Sequence, residues 1–127
     1  MKPRPFLIGL VLALGSITLL ASLPKPTACQ LLAVFVAALG GIYTGLGLSV
    51  TDNGKFALQA FVSIFFLVLS LMGLWIHPRF LGVGLLAHAG WDTMHHPTYL
   101  NIFVPGWYVP TCLAYDVVLG IFVLLWW

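Results

Sequence analysis

Charged residues are scarce in this chain of 127 residues, which has five lysines and arginines and three acidic residues, together 6% of the sequence. Soluble domains carry about 25% charged residues, so the composition excludes an ordinary water-soluble fold. The net charge of +2 and the lack of a basic stripe exclude nucleic acid as a partner. Hydrophobic residues make up 61% and the mean hydropathy is +1.09. These values predict an integral membrane protein whose main partner is the lipid bilayer.

Cysteine is equally sparse. The only two, Cys29 and Cys112, lie in different hydrophobic segments, so their spacing indicates no disulfide. A CxxCH motif is absent, so covalent attachment of haem is not indicated. The sequence also has no long internal repeat and no low-complexity linker, so we predict a single transmembrane domain over residues 1–127.

Five hydrophobic segments make up most of the chain, separated by short turns that contain proline, glycine or polar residues. A membrane-spanning helix needs about 17 to 25 mostly apolar residues. We therefore predict an all-α polytopic bundle of about five transmembrane helices, with the chain ends on opposite sides. The predicted helices are residues 5–23, 28–50, 55–76, 80–96 and 107–127.

A polar cluster interrupts the fourth segment. Residues 87–97 read Ala-His-Ala-Gly-Trp-Asp-Thr-Met-His-His-Pro and hold three of the four histidines. At about 100° per residue, His88, Asp92 and His95 fall within an arc of roughly 60°, and His96 widens the arc to about 100°. Ionisable side chains are costly in lipid, so this stripe should face protein. The pattern predicts a buried polar site.

The spacing of these residues favours a metal site. Histidine and carboxylate at positions i and i+4 meet on one helical face, which makes His88, Asp92, His95 and His96 candidate ligands of zinc, iron or manganese. His88 and His95 are about 10 Å apart along the helix, too far for one ion with bonds of about 2 Å. Either Asp92 joins two ions, or one ion takes a ligand from another helix, or one histidine acts outside the coordination shell.

Asp116 is the candidate ligand from another helix. It lies near the middle of the fifth segment, where an isolated carboxylate must pair, protonate or bind a metal. If the fourth and fifth helices are antiparallel, counting from their connection places Asp116 level with His88 and Cys112 level with Asp92. We expect Asp116 to approach His88 or Asp92, as a ligand or general base, and we name Asp116 and His88 as candidate catalytic residues. The location in lipid suggests a lipid-like or isoprenoid-like substrate.

Other interpretations remain open. The cluster can be a structural ion pair without further function. One histidine can ligate haem or chlorophyll, as bundle helices commonly do, in an accessory subunit of a larger membrane complex. The chain can also be a small transport or proton-relay protein. The sequence leaves open whether the protein is an enzyme.

Four smaller expectations concern the other segments. Gly41 and Gly45 form a GxxxG spacing that predicts a helix-packing surface, with space for a ligand beside Tyr43 as the alternative. Gln59 lies near the start of its segment and is expected at the membrane interface. Asp52 and His77 lie in predicted turns and are expected to be solvated.

Four stretches of the chain carry a family resemblance: Gly41-Ile42-Tyr43, the run from Phe80 to Asp92, His95-His96, and Cys112 with Asp116. The most specific part is His-x-x-Trp-Asp-x-x-His-His, which begins at His88. Together they resemble a family of small bacterial integral membrane proteins of unknown function. The resemblance implies a bacterial membrane protein, and it implies no activity, substrate or cofactor. We expect a bacterial inner membrane or a thylakoid-type membrane, and a short chain with few loops also suits a subunit that binds other membrane proteins.

Overall fold

The computed structural model describes residues 2–48, 53–95 and 104–127. These ranges contain five α-helices and no β-strand, which confirms the predicted all-α class and the number of helices. The predicted roles of Asp52 and His96 concern residues outside the described ranges. The helices are α1 (Pro3–Ser22), α2 (Lys25–Gly47), α3 (Asn53–Trp75), α4 (Arg79–Met94) and α5 (Tyr108–Trp126).

Four of the described helices, α1, α2, α3 and α5, are long and apolar enough to cross a membrane. The remaining helix, α4, has 16 residues, which is about 24 Å at 1.5 Å per residue. The hydrocarbon core of a bilayer is about 30 Å thick, so α4 is too short to cross it fully. It ends at Met94 with His95 as its C-cap, just before the position that Pro97 disfavours for a helix.

The start of α2 differs from the sequence expectation. We predicted that the second helix begins at residue 28, but Lys25 and Pro26 already form the first turn of α2. Proline is well suited to that position because the first N–H groups of a helix have no partner within the helix. The connection between α1 and α2 is therefore only Leu23 and Pro24.

The short helix α4 lies at the centre of the packing. It contacts α5 most extensively and also contacts α3 and α2, while α1 packs mainly on α5. Because α4 has protein on several sides, the polar residues of its sequence become buried. The apolar core around them consists mainly of Leu32, Val36, Phe66, Leu81, Leu85, Leu119 and Val123.

Two long-range hydrogen bonds fix the direction of the outer helices. Thr111 Oγ1 donates to the carbonyl oxygen of Pro5 at 3.1 Å, which places the start of α5 beside the start of α1. Lys25 Nζ donates to the carbonyl oxygen of Trp126 at 2.9 Å, which places the end of α5 beside the start of α2. The helices α1 and α5 are therefore parallel, and the two chain ends lie at opposite ends of the bundle.

This arrangement predicts the membrane topology. Topology reporters fused after Trp127 and before Met1 should report opposite sides of the membrane, because α1 and α5 run in the same direction. Matched fusions in the short α1–α2 connection should report the side of the C-terminus. Reporters at the two chain ends that agree with each other would contradict the parallel arrangement of α1 and α5.

Gly9 allows α1 and α5 to approach closely. A Cβ added there would overlap the carbonyl oxygen of Thr111, whereas a Cβ added at Gly15 on the same helix meets nothing within 4 Å. Gly9→Ala should therefore lower the free energy of unfolding by about 1 to 3 kcal/mol, as overpacking does. Gly15→Ala is the matched control and should leave it unchanged or raise it slightly. Equal unfolding temperatures of the two variants in detergent would show that α1 and α5 are not in close contact at Gly9.

Candidate metal centre

His88 on α4 and Asp116 on α5 make a direct polar contact inside the bundle. His88 Nδ1 lies 2.7 Å from Asp116 Oδ2, and neither side chain has exposed surface. A contact this short between these two atoms needs one proton between them. The expectation that Asp116 comes level with His88 is confirmed.

Asp92 joins the same contact from one helical turn further along α4. Its Oδ2 lies 3.6 Å from His88 Nδ1, and its Oδ1 accepts a hydrogen bond of 2.6 Å from the hydroxyl of Tyr43 on α2. Asp92 is also fully buried. Two carboxylates from two helices therefore converge on one imidazole nitrogen.

We call His88, Asp92 and Asp116 the buried triad. Each can offer one ligand atom such that all three atoms lie within 4.8 Å of one another. Within the ranges that the structure describes, the carboxylate oxygens Asp92 Oδ2 and Asp116 Oδ1 are buried and have no hydrogen-bond partner. Buried polar atoms in folded proteins are nearly always paired. The triad therefore has unused capacity for a cation or for further protons.

Aromatic rings hold the triad in place. The Tyr43 ring stacks on His95 with centroids 4.0 Å apart and meets Tyr108 edge-on at 5.8 Å. Phe66 on α3 packs edge-on against the His88 ring at 5.5 Å. These contacts limit the rotation of the Tyr43 and His88 side chains, and so keep the Tyr43 hydroxyl directed at Asp92.

His95 was predicted as a metal ligand, but the structure does not bring it into the triad. Its Nδ1 lies 2.9 Å from the carbonyl oxygen of Trp91, which only accepts, so Nδ1 carries the hydrogen. Its Nε2 is then the acceptor and lies 3.1 Å from the amide nitrogen of Gln59. Both nitrogens are engaged, and His95 supports Tyr43 by stacking instead.

Sequence reasoning did not place Gln59 and Tyr43 beside the polar cluster of α4. Gln59 was expected at the membrane interface, but it is only 1% exposed and faces His95. The side chain is buried because α3 packs it against the end of α4, and its place at the membrane interface stays a prediction. The available signal was a lone amide in an apolar helix, since a buried amide needs polar partners.

Nearly the whole chain matches one protein family. A family of unknown function, DUF6010, matches residues 4–126. The chain belongs to this family. The match includes α1, whereas the resemblance noted in the sequence began only at the second segment. No curated protein and no solved structure matches the chain.

Cys112 lies beside the triad of this DUF6010 protein without joining it. It precedes Asp116 by four residues on α5 and packs in a small cluster around Tyr43, Tyr108 and Val109. Cys112 is a free thiol, and sulfur is not among the three converging ligand atoms.

The GxxxG pair of this DUF6010 protein does not pack within the described part of the chain. A Cβ added at Gly41 or Gly45 meets no atom within 4 Å, whereas one added at Gly40 would overlap Phe66. The expected packing surface was therefore displaced by one residue, because α2 is rotated so that Gly40 faces α3. The alternative of a ligand space beside Tyr43 stays a prediction; the Tyr43 ring itself contacts His95 and Tyr108.

The charges of the triad set what it can bind. Two ionised carboxylates beside a neutral imidazole carry a net charge of −2, which is very unfavourable in a buried apolar environment. Two added protons or one divalent cation remove this charge. The arrangement is therefore chemically suited to hold either.

Proposed function

We propose that this DUF6010 protein binds a divalent metal cation within the membrane through His88, Asp92 and Asp116. The observation that carries the proposal is the convergence of one ligand atom from each residue within 4.8 Å, with all three side chains fully buried. A divalent cation neutralises the two carboxylates and supplies the partner that Asp92 Oδ2 lacks.

The observed distances are close to those of a metal site. Tetrahedral ligands with bonds of about 2.0 to 2.2 Å lie roughly 3.3 to 3.6 Å apart. His88 Nδ1 lies 3.6 Å from Asp92 Oδ2 and 2.7 Å from Asp116 Oδ2. Exchange of the shared proton for a cation would require Asp116 to move outward by less than about 1 Å. Tyr43 would keep Asp92 oriented, as hydrogen-bonded groups outside the first ligands do in metal proteins.

The ligand atoms favour certain ions. One imidazole nitrogen and two carboxylate oxygens suit zinc, ferrous iron and manganese. Soft ions such as Cu(I) prefer sulfur, which the triad does not offer. We therefore keep zinc, iron and manganese as the candidate cofactors.

A catalytic role extends this proposal. A bound metal would supply a Lewis acid or an activated water, with Asp116 or His88 as the base. A lipid-like or isoprenoid-like substrate would reach the site from the bilayer. This extension stays a prediction, and it requires a movement of the helices because the triad has no exposed surface.

A proton relay is the second candidate function. It is supported by the short contacts from Tyr43 to Asp92 at 2.6 Å and from His88 to Asp116 at 2.7 Å. These contacts link α2, α4 and α5 across the bundle, whereas a relay has to run between the two membrane faces. Metal binding is therefore the better supported of the two.

Tetrapyrrole binding fits the triad less well. An axial histidine has to present one ring nitrogen to an extended flat macrocycle. His88 Nδ1 is engaged by Asp116, and the whole ring is buried against Phe66. A haem or chlorophyll would require these contacts to open.

Elemental analysis and zinc titration of purified protein test the proposal. We expect about one divalent ion per chain, and the same stoichiometry in His77→Gln, a control at an exposed turn outside the triad. Absence of metal together with visible tetrapyrrole bands would replace the proposal with a pigment site. If neither metal nor tetrapyrrole is found and the protein carries protons across vesicle membranes, the proton relay would be favoured.

The support role of His95 gives a separate prediction. His95→Gln should keep the metal affinity within a few-fold of the wild type, because both ring nitrogens already have protein partners. Zinc titration of the variant measures this. A loss of about 100-fold or more would instead assign His95 to the metal ligands.

A further inference from the structure

An apolar cleft lies between α1, α2 and α5, and no member of the triad lines it. It has a volume of about 200 Å³ and is bounded by leucines of α1 and α2, by Phe35 and by the hydroxyls of Ser16 and Tyr115. It exists because α1 packs on α5 and has few contacts with α2. Tyr115 and Asp116 are successive residues, which project about 100° apart from a helix. The cleft is therefore a separate site from the triad.

A pair of hydroxyl groups forms the polar part of the cleft. Ser16 Oγ and Tyr115 Oη are 2.8 Å apart, and either can be the donor. The two groups carry two protons, of which only one can lie between them. No other hydrogen bond of these hydroxyls occurs among the described residues. One donor of the pair is therefore free.

This free donor is partly buried and lies away from the helix ends. Ser16 is six residues before the end of α1 at Ser22, which is about 9 Å along the helix. Tyr115 lies in the middle part of α5, and its ring is held edge-on by Phe35 at 5.4 Å. The hydrocarbon core of a bilayer offers no water to accept this hydrogen bond. An acceptor from a bound molecule would complete the pair.

We propose that the cleft binds a neutral lipophilic molecule with a carbonyl-type oxygen inside its hydrocarbon body. The oxygen accepts from the Ser16–Tyr115 pair, and the hydrocarbon lies along Leu19, Leu31 and Leu32. Ligand pockets are usually about 300 to 1,000 Å³, so the cleft holds the part around the oxygen while the rest extends into the bilayer. The ester carbonyls of phospholipids lie at the headgroup boundary and fit the depth of the pair less well.

Photolabelling of the full chain in lipid nanodiscs tests this proposal. The probe is a long-chain dialkyl ketone with a diazirine beside the carbonyl, and its partner is an alkane of equal length with the same diazirine. The ketone should label cleft residues about tenfold more strongly than the alkane. The double variant Ser16→Ala/Tyr115→Phe should weaken ketone labelling about tenfold and leave alkane labelling unchanged. Tenfold corresponds to about 1.4 kcal/mol, the size of one net hydrogen bond.

A second pair of variants tests the position of the ligand without removing the hydroxyls. Leu31 lines the cleft and is half exposed, whereas Val34 is exposed on the same helix outside the cleft. Leu31→Trp should fill the cleft and abolish ketone labelling, and Val34→Trp should not. Equal labelling by the ketone and the alkane would overturn the proposal, because it would mean that the cleft binds ordinary lipid chains. Stronger labelling by a phospholipid with a diazirine at its ester would also overturn the proposal.

Discussion

His88→Leu should be the most destabilising single substitution in the triad, with a loss of about 3 to 5 kcal/mol in the free energy of unfolding. The imidazole is the only basic group in the triad, whose two carboxylates both approach its Nδ1. Without it, two buried carboxylates face each other and have to share a proton. Thermal unfolding of the purified protein in detergent measures the loss.

The control for this prediction removes a carboxylate together with the imidazole. The double variant His88→Leu/Asp116→Leu should be more stable than His88→Leu alone, because well-packed apolar residues replace a buried charged pair at little cost. Asp92 keeps its hydrogen bond from Tyr43 in this variant. A double variant less stable than the single one would mean that His88 contributes by packing rather than by charge.

Asp92→Asn should lower metal affinity at least about 100-fold while leaving the protein folded. Asparagine has the shape of aspartate, and its Oδ1 can still accept from the Tyr43 hydroxyl, which is 2.6 Å from Asp92 in the native chain. It carries no charge, so one of the two carboxylates that attract the cation is lost. Titration of zinc into purified wild type and variant measures the difference.

Tyr43→Phe is the matched variant for this prediction. It leaves all three ligands in place and removes only the hydrogen bond that orients Asp92, so we expect a loss nearer tenfold, as for other orienting groups. Equal affinities of wild type and Asp92→Asn would exclude the triad as the metal site. An equal loss in Tyr43→Phe and Asp92→Asn would assign Asp92 an orienting role rather than a direct one.

The contact between His88 and Asp116 could be predicted from the sequence. Two adjacent segments in a bundle are antiparallel, so counting residues from their connection gives the relative depth of each side chain. The spacing of four residues between His88 and Asp92 places both on one helical face. The residue spacing within α4 and the residue count between α4 and α5 were therefore sufficient to predict that the three members of the triad lie together.

The partners of His95 could not be predicted in this way. His95 lies close to the same face of α4 as His88, but its surroundings depend on how α2 and α3 are rotated. These helices place Tyr43 and Gln59 against it. The same rotation made Gly40, rather than the Gly41–Gly45 pair, the contact with α3. Helices so uniformly apolar have weak periodicity, so their rotation is set by tertiary packing rather than by local pattern.

A crystal structure of zinc-soaked protein, with anomalous diffraction measured at the zinc edge, tests the central claim most directly. The account predicts one anomalous peak about 2.0 to 2.2 Å from a nitrogen of His88 and from one oxygen each of Asp92 and Asp116. It also predicts that His88 Nδ1 and Asp116 Oδ2 lie farther apart than the 2.7 Å of their direct contact. A zinc peak elsewhere, with the triad unchanged, would contradict it.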